Sequence, residues 1–262
     1  MTAAATRLQA MALIGRGVFI ELKRRKDFYV IAILMALFLI SVFLVNIVGV
    51  DNASTATFLL NLGMTLAYYL AHALTLILTA RQVPDEIEKR TLYPLLARPI
   101  DRTTYLLGKY ASCAICGFAV FLLLGAMGWF PVPKVEYYSF SLLLQLIVLQ
   151  AVSLSMIASL SLFFSILAPR GIGIVAIGLL FAFGNQIITF GRARLENGAA
   201  EPVGDWLLGY VPNFQKLNLI TRYTDGIEPL ALGPFVSAVL YGALMSAAFL
   251  ALSIFLFHRR PL

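Results

Sequence analysis

Few side chains in this sequence have the types and spacing of a reactive or metal-binding site. The clearest pair is Cys113 and Cys116, whose C-x-x-C spacing is typical of redox and metal-binding cysteines. A structural metal site needs more ligands than this pair, and the sequence has no second cysteine or histidine cluster to supply them. The pair is therefore predicted to be two small residues that pack inside a helix, with no metal bound.

The sequence also lacks the common motifs of hydrolases and nucleotide-binding proteins. The two histidines, His72 and His258, are far apart, and neither H-E-x-x-H nor G-x-S-x-G occurs. The pair Gly108-Lys109 has neither the upstream glycine nor the following Ser or Thr of a phosphate-binding loop. We therefore expect no catalytic residue, no cofactor held by this chain and no ATP hydrolysis by the chain alone.

A segment rich in charged residues, 84–109, interrupts an otherwise apolar sequence. Within it, Thr91 can cap a short helix. That helix would present three apolar side chains, Leu92, Leu95 and Leu96. Apolar groups flanked by charge suit the groove of a cytosolic partner, although the leucines could instead lie on the lipid surface. Glu86 and Glu88 could pair with nearby basic groups or with a partner, or could form a solvated charged face, which is the commoner arrangement.

A second polar pattern lies within the apolar segment 57–79. At about 100° per residue, its hydrogen-bonding side chains except Tyr69 fall within an arc of about 80°. This polar stripe consists of Thr57, Asn61, Thr65, Tyr68, His72, Thr75 and Thr79. Such groups are costly against lipid, so the middle of the stripe is a candidate to line a translocation path or a subunit interface. Those candidates are Asn61, Thr65, Tyr68 and His72. The alternative, which the residues favour slightly, is that they only bond neighbouring helices.

Composition indicates the elements that carry these residues. Hydrophobic residues make up 60% of the 262 residues, and the mean hydropathy is +0.87. A hydrocarbon core about 30 Å thick takes about 20 helical residues to cross. Six apolar segments reach about that length, at residues 28–50, 57–79, 111–130, 140–167, 172–190 and 234–257. The sequence thus predicts an all-α, polytopic membrane protein with six transmembrane helices in a single domain, residues 1–262.

The distribution of basic residues predicts the orientation of these spans. If the N-terminus is inside, fifteen of the twenty Lys and Arg residues fall in cytoplasmic segments, as the positive-inside rule requires. Both termini are then cytoplasmic, in the cell inner (plasma) membrane. Residues 3–26 form an amphipathic interfacial helix, 80–109 a cytoplasmic loop and 191–233 an extracytoplasmic loop. This topology explains the net charge of +7 without a nucleic-acid partner.

The residues of the charged loop resemble a known family. The matching positions are Glu86, Glu88, Thr91, Leu92, Leu95, Leu96, Arg98, Pro99, Arg102 and 105–109. Their order is similar to the cytoplasmic loop of ABC type-2 permeases, the membrane subunits of ATP-driven exporters, although Arg90 stands where that family often has glycine. The layout of six spans and an interfacial helix is similar too. The segment 210–218, YVPNFQKLN, resembles the segment with Pro followed by Asn that is found at this place in permeases of the branch associated with multicopper-enzyme maturation.

The resemblance implies a specific partnership. A separate cytoplasmic ABC ATPase subunit, which carries the ATP and Mg, would dock on a coupling helix in the loop, and a second permease copy or paralogue would complete the membrane part. Glu86, Glu88, Thr91, Leu92, Leu95, Leu96, Arg98 and Pro99 become ATPase-coupling candidates. Membrane lipid is the other expected partner. The alternatives that stay open are an ATP-independent secondary transporter and a structural or accessory membrane protein, and the substrate is not defined.

Overall fold

Helices make up nearly all of the part of the chain that the structure describes. The computed structural model describes residues 53–88, 101–129, 139–168, 170–195 and 211–259, residue 209, and isolated positions between 13 and 43. The long helices are α1 (Ala53–Glu88), α2 (Arg102–Trp129), α3 (Phe140–Leu167), α4 (Arg170–Leu195) and α6 (Leu232–Arg259). Between α4 and α6 lie a 3₁₀ helix (Phe214–Leu217) and the short helix α5 (Ile220–Thr224).

Five of the six predicted spans coincide with these helices, apart from residue 130 at the end of the third span, which lies outside the described residues. By length and composition, α1, α2, α3, α4 and α6 can each cross a membrane. The bounds of α3 are the predicted ones, 140–167. The first predicted span, 28–50, and the interfacial helix, 3–26, fall mostly outside the described residues and stay predictions. Their described positions are helical, and two of them, Val18 and Phe38, are buried.

The helices extend beyond the predicted spans into segments predicted to be loops. Helix α1 passes Pro84 and continues to Glu88, and α2 begins directly after Asp101. Consequently, only residues 89–101 lie between the two helices. Charged side chains interrupt an apolar pattern but are good helix formers, so the hydropathy boundary falls short of the helix boundary. On the other side of the bundle, α4 continues to Leu195.

Helices α1 and α3 form the centre of the bundle. In their most apolar windows 61% and 67% of residues are buried, against 22% in α4 and 17% in α6. Helix α1 packs along α2 and α3, α3 also packs along α6, and α4 contacts α1 and α3. Helices α1 and α2 run in opposite directions, as the close pairs Glu86 with Lys109 and Gly63 with Gly128 show. We call the end where α1 ends and α2 begins the loop end, and the other the far end.

Small residues allow the closest helix approaches. Against α3, Gly242 of α6 lies where an added Cβ would stand 2.4 Å from Val152 Cγ1. Next to it, the hydroxyls of Ser155 and Ser246 are 3.2 Å apart. Between α1 and α2, an added Cβ on Gly63 would lie 3.1 Å from the Gly128 Cα. In a membrane the hydrophobic effect does not drive helices together, because lipid is as apolar as their side chains. Glycine and serine at these crossings let the helix backbones approach closely, so that van der Waals packing stabilises the contact. Cys113 and Cys116 are buried in the same core.

Candidate functional site

Four side chains at the loop end join the last turns of α1 to the first turns of α2. We call Gln82, Glu86, Tyr105 and Lys109 the loop-end cluster. Lys109 Nζ lies 2.5 Å from Glu86 Oε1 and donates to Gln82 Oε1 at 2.7 Å. The Tyr105 hydroxyl donates to Glu86 Oε2 at 2.5 Å. Both oxygens of the Glu86 carboxylate therefore accept from α2, which fixes the separation of the two helices.

The electrostatics of the loop-end cluster depend on burial. The Lys109 side chain is only 8% exposed and that of Glu86 is 23% exposed. A buried ammonium is stable only when it is paired and hydrogen-bonded. Here the Glu86 carboxylate is the counter-charge and the Gln82 amide oxygen accepts a hydrogen bond. The solvated face that the sequence favoured for Glu86 is thus wrong, because the chain's own Lys109 and Tyr105 hold its carboxylate.

An apolar layer directly beneath the loop-end cluster connects it to α3 and α6. Tyr105 is fully buried, and its ring stacks on Phe257 near the end of α6, with 6.0 Å between centroids. Arg102 donates to the Phe257 carbonyl at 3.4 Å. Ile166 of α3 is also buried in this layer. The start of α2 is therefore in contact with both neighbouring helices, so a displacement there is passed on to them.

The predicted coupling residues divide between the described and the remaining parts of the chain. Glu86 belongs to the loop-end cluster, and Glu88 is exposed at the last position of α1. Thr91, Leu92, Leu95, Leu96, Arg98 and Pro99 lie outside the described residues. Their predicted coupling helix, and the coupling role of all eight residues, stay predictions.

His72 lies at the centre of the bundle and is fully buried. Its Nδ1 is 2.9 Å from the Tyr68 carbonyl and its Nε2 is 2.8 Å from Ser153 Oγ in α3. A carbonyl only accepts, so the proton on Nδ1 points to Tyr68 and Nε2 accepts the serine hydroxyl, while the side-chain amide of Gln150 of α3 lies 3.3 Å from the same Nδ1. The imidazole also stacks on Phe181 of α4, with centroids 4.7 Å apart. One neutral ring thus links α1, α3 and α4.

The polar stripe of α1 changes in burial along its length. Thr57, Asn61 and Thr65, towards the far end, are half-buried, and the Thr65 hydroxyl donates to Asn61 Oδ1 at 3.0 Å. Tyr68, His72, Thr75 and Thr79 are buried. The last two donate to carbonyls of their own helix, Thr75 to Ala71 and Thr79 to Thr75, both at 2.7 Å. Tyr69, which the helical wheel places off the stripe, is 49% exposed. Whether the half-buried part borders a path or another subunit stays a prediction.

The segment 211–217 folds into the far end of the bundle. Asn213 Oδ1 accepts the Gln215 N–H at 3.0 Å and so caps the 3₁₀ helix. The Asn213 amide nitrogen donates to Asn185 Oδ1 of α4 at 3.1 Å, and its backbone N–H donates to the Tyr241 hydroxyl of α6 at 2.8 Å. Phe214 is buried in the core. These bonds hold the segment between α4 and α6 beside a cavity of about 580 Å³.

Several of these residues were not identified by sequence reasoning. The sequence places Lys109 in a charged loop without defining its partner, and it does not reveal the contacts of Ser153 and Phe181 with His72. The sequence does contain a signal for Ser153. Gln150 and Ser153 are polar and stand one helical turn apart in an apolar segment, which indicates a helix face that contacts other helices. No metal cluster of three or more His, Cys, Asp or Glu side chains occurs in the described part of the chain.

The bundle and its two polar ends define a class of protein. Five long apolar helices packed side by side are the architecture of a multi-pass membrane protein. The family model described as ABC-2 family transporter protein matches residues 19–185, which is more than half of the chain. The chain therefore belongs to the ABC-2 transporter family and is a permease component of an ABC transporter. No curated protein matches it.

Membership of this family has two direct consequences. Members of the family are transporter permeases and not themselves ATPases. They generally work with a cytoplasmic ABC ATPase. The matched residues include α1, α2, α3 and most of α4, and they end before the 211–217 segment and α6.

Proposed function

We propose that this chain is the permease subunit of an ABC exporter and that ATP hydrolysis by a separate cytoplasmic subunit moves substrate outward through it. The loop end faces the cytoplasm, the far end faces outward, and both termini are cytoplasmic, in the inner membrane. ATP and Mg bind to the partner ATPase. A second permease copy or paralogue completes the membrane part.

The observation that carries this proposal is the rigid connection on either side of residues 89–101. An ATPase that displaces this segment needs stiff helices behind it, and the loop-end cluster supplies them. Because Glu86 is held by Lys109 and Tyr105, the ends of α1 and α2 move together when the segment is displaced. Binding energy in the ATPase then reaches the centre of the bundle as a helix displacement.

The coupling helix that we propose within residues 89–101 is tested with Leu95→Asp. A charge in the apolar contact with the ATPase is left without a partner, so ATPase docking or the coupling of hydrolysis to transport is expected to be lost while membrane insertion is kept. Co-purification of the ATPase and transport per ATP hydrolysed are measured with the cognate ATPase co-expressed. Leu95→Met, which keeps volume and polarity, is the matched control. Docking and coupling at the control level in Leu95→Asp would remove the segment from the coupling interface.

The alternative of a secondary transporter predicts a different energy source. In proteoliposomes that hold the chain and its ATPase, we expect transport to require ATP and to persist when ion gradients are collapsed. Transport by the chain alone, driven by an imposed proton or sodium gradient, would contradict the proposal.

A further inference from the structure

We propose that the segment 211–217 is a plug that closes the far end of the bundle and keeps water from the polar side chains at its centre. The segment includes the 3₁₀ helix (Phe214–Leu217), which contacts α3, α4 and α6. It therefore lies where these three helices meet. That the far end faces outward, so that the plug is an outer gate, rests on the proposed function, but the closure itself does not.

The 3₁₀ helix of the plug has an apolar side and a polar side. A 3₁₀ helix has about three residues per turn, so the side chains of residues i and i+3 lie above one another. Phe214 and Leu217 have this spacing, and they are only 3% and 1% exposed. Gln215 and Lys216, which stand between them, are exposed. The segment thus inserts two apolar side chains into the bundle and leaves the polar ones outside.

Phe214 covers the polar centre of the bundle. Its ring centroid lies 6.2 Å from that of His72 and 5.2 Å from that of Phe181. On the α3 side of His72 lie Ser153 and Gln150, and all three polar side chains are buried. A space bordered by polar groups takes up water, whereas an apolar one stays dry. Removal of the Phe214 ring should therefore admit water to this centre.

Leu217 closes a second side of the same centre, at the crossing of α3 and α6. An added Cβ at Gly242 of α6 would meet Val152 Cγ1 of α3 and would lie 3.1 Å from Leu217 Cδ1. Leu217 is thus packed against the point where the two helices touch. Val152 directly precedes Ser153, so the leucine lies beside the polar centre on its α6 side.

Neutral hydrogen bonds hold the plug and the chain that follows it. Asn213 donates to Asn185 Oδ1 of α4 at 3.1 Å, and its backbone N–H donates to the Tyr241 hydroxyl at 2.8 Å. Further along, Gln145 of α3 bonds Leu230 twice, because its Nε2 donates to the carbonyl and its Oε1 accepts the N–H, both at 2.9 Å. The loop end, by contrast, is joined by an ion pair. Water can replace neutral amide bonds near a membrane surface, so these bonds suit a plug that opens.

The experiment measures the access of water to the polar centre in the full-length chain, without any ATPase. The probe is Ser153→Cys in a background that carries Cys113→Ala and Cys116→Ala. Its reaction with a small water-soluble methanethiosulfonate is followed by mass spectrometry. The test variant is Phe214→Ala. The matched control is Phe190→Ala, which removes a ring that is 72% exposed on α4.

A second pair of variants tests the hydrogen bonds that hold the plug. Gln145→Leu removes both bonds to Leu230 at nearly constant side-chain size. Its control is Gln215→Leu, at an exposed position. A second probe, Ile166→Cys, lies in the buried layer at the loop end and reports general loosening of the bundle.

We expect the Ser153→Cys thiol to react slowly with the plug intact and in both controls, and at least about tenfold faster with Phe214→Ala or Gln145→Leu. The Ile166→Cys thiol should react slowly throughout. Fast reaction of Ser153→Cys with the plug intact, or no increase with Phe214→Ala, overturns the plug, and no increase with Gln145→Leu overturns the role of its hydrogen bonds. An equal increase at both thiols also overturns the proposal, because it indicates general loosening. Phe214→Leu replaces Phe214→Ala if gel filtration shows aggregation.

Discussion

Two buried polar side chains, Lys109 and His72, show how depth in the bundle determines what a residue can be. Lys109 lies at the loop end, where a carboxylate and an amide are within reach. His72 lies at the centre, where a hydroxyl, a carbonyl and an amide are within hydrogen-bond distance of its ring nitrogens and where Phe181 stacks on its ring. A charge needs an opposite charge beside it, whereas a neutral ring needs only donors and acceptors. Lys109 therefore stabilises the bundle mainly through its ion pair, and His72 mainly through its packing.

The Glu86–Lys109 pair is expected to behave as a coupled unit. Glu86→Gln should destabilise the protein by about 3 kcal/mol, because it leaves a buried ammonium without a counter-charge. Lys109→Met should cost less, since Glu86 has some access to water. The double variant should be more stable than Glu86→Gln alone. Thermal unfolding in detergent measures all three.

Glu228→Gln is the matched control for this cycle, because the Glu228 side chain is exposed. It should change stability by no more than about 0.5 kcal/mol. Additive effects of Glu86→Gln and Lys109→Met would show that the two side chains do not stabilise each other.

At His72 the ring should matter more than its hydrogen bond. His72→Phe keeps the stack on Phe181 but loses the bond to Ser153, and such bonds in membranes contribute about 0.6 kcal/mol on average. His72→Leu loses the aromatic contacts as well, each of which contributes about 0.5–1.5 kcal/mol. We therefore expect His72→Leu to be the less stable variant by at least about 1 kcal/mol in detergent unfolding. Equal losses would assign the stabilisation to the hydrogen bond.

At the scale of the elements, the pairing of α1 with α2 depends on glycines that permit close approach. An added Cβ at Gly117 would lie 1.9 Å from Thr75 Oγ1, 3.1 Å from its Cβ and 3.3 Å from its Cγ2. Rotation of the threonine cannot relieve all three contacts, because Cβ does not move. At Gly125, about two turns further along α2, the atom nearest to an added Cβ is the Met64 sulfur at 3.8 Å, which is an ordinary van der Waals contact.

These two glycines give a direct comparison. Gly117→Ala should destabilise the protein by about 1–3 kcal/mol through overpacking. Gly125→Ala should be neutral or stabilising by up to about 1 kcal/mol, since alanine is the better helix former. Unfolding in detergent separates the two, and a tolerated Gly117→Ala would mean that α1 and α2 can separate without cost.

The gradient of burial along α1 predicts a gradient of accessibility. In a background that lacks Cys113 and Cys116, single cysteines at the half-buried positions 57, 61 and 65 should react with a water-soluble thiol reagent. Cysteines at the buried positions 72, 75 and 79 should react only when ATP is being hydrolysed by the partner. Transport by Asn61→Leu, Tyr68→Phe and His72→Leu is measured in parallel. Uniformly unreactive positions with normal transport would exclude a path along this helix.

Sequence reasoning predicted some elements well and others poorly, for physical reasons. The apolar spans are visible because each must cover the same hydrocarbon thickness, so five of the six coincide with observed helices. Small residues at helical spacing are also visible in the sequence, and the face of α3 with Ser155 packs against the face of α6 with Gly242. Gly178 and Ala182 of α4 have the same spacing of small residues, but an added Cβ at Gly178 meets no described atom within 4 Å. Partner choice depends on tertiary arrangement, which a single-helix pattern does not contain.

The same limit explains the polar residues. Helical periodicity placed His72 and Thr75 on one face of α1, but it could not reveal that Ser153 lies opposite one and Gly117 opposite the other. The pairing of Glu86 with Lys109 likewise requires two helices to be antiparallel with a specific offset. Residues that satisfy their own helix, such as Thr79, are the ones that local rules describe correctly.

At the scale of the whole molecule, the outer surfaces of α4 and α6 remain apolar. The exposed residues of α6 recur at helical spacing and include Leu232, Val236, Leu240 and Leu244. In a membrane such a surface is available to lipid or to the second permease copy that we propose. We expect the purified complex with the cognate ATPase to contain two permeases and two ATPases, and the permease alone to show no ATPase activity. Light scattering with gel filtration measures the stoichiometry, and a stable one-to-one complex with full transport would contradict it.

The pairing of α1 with α2 has a mechanical consequence. The two helices are joined near the far end at Gly63 and Gly128, in the middle at Thr75 and Gly117, and at the loop end at Glu86 and Lys109. The distance along α1 from Gly63 to Glu88 is about 38 Å at about 1.5 Å per residue. If this hairpin rotates about its far-end contact as a rigid body, a rotation of about 5° moves its loop end by about 3 Å. Under the proposed function, a small stroke of the ATPase would become a small tilt of the polar stripe, transmitted through the three contacts that join the two helices.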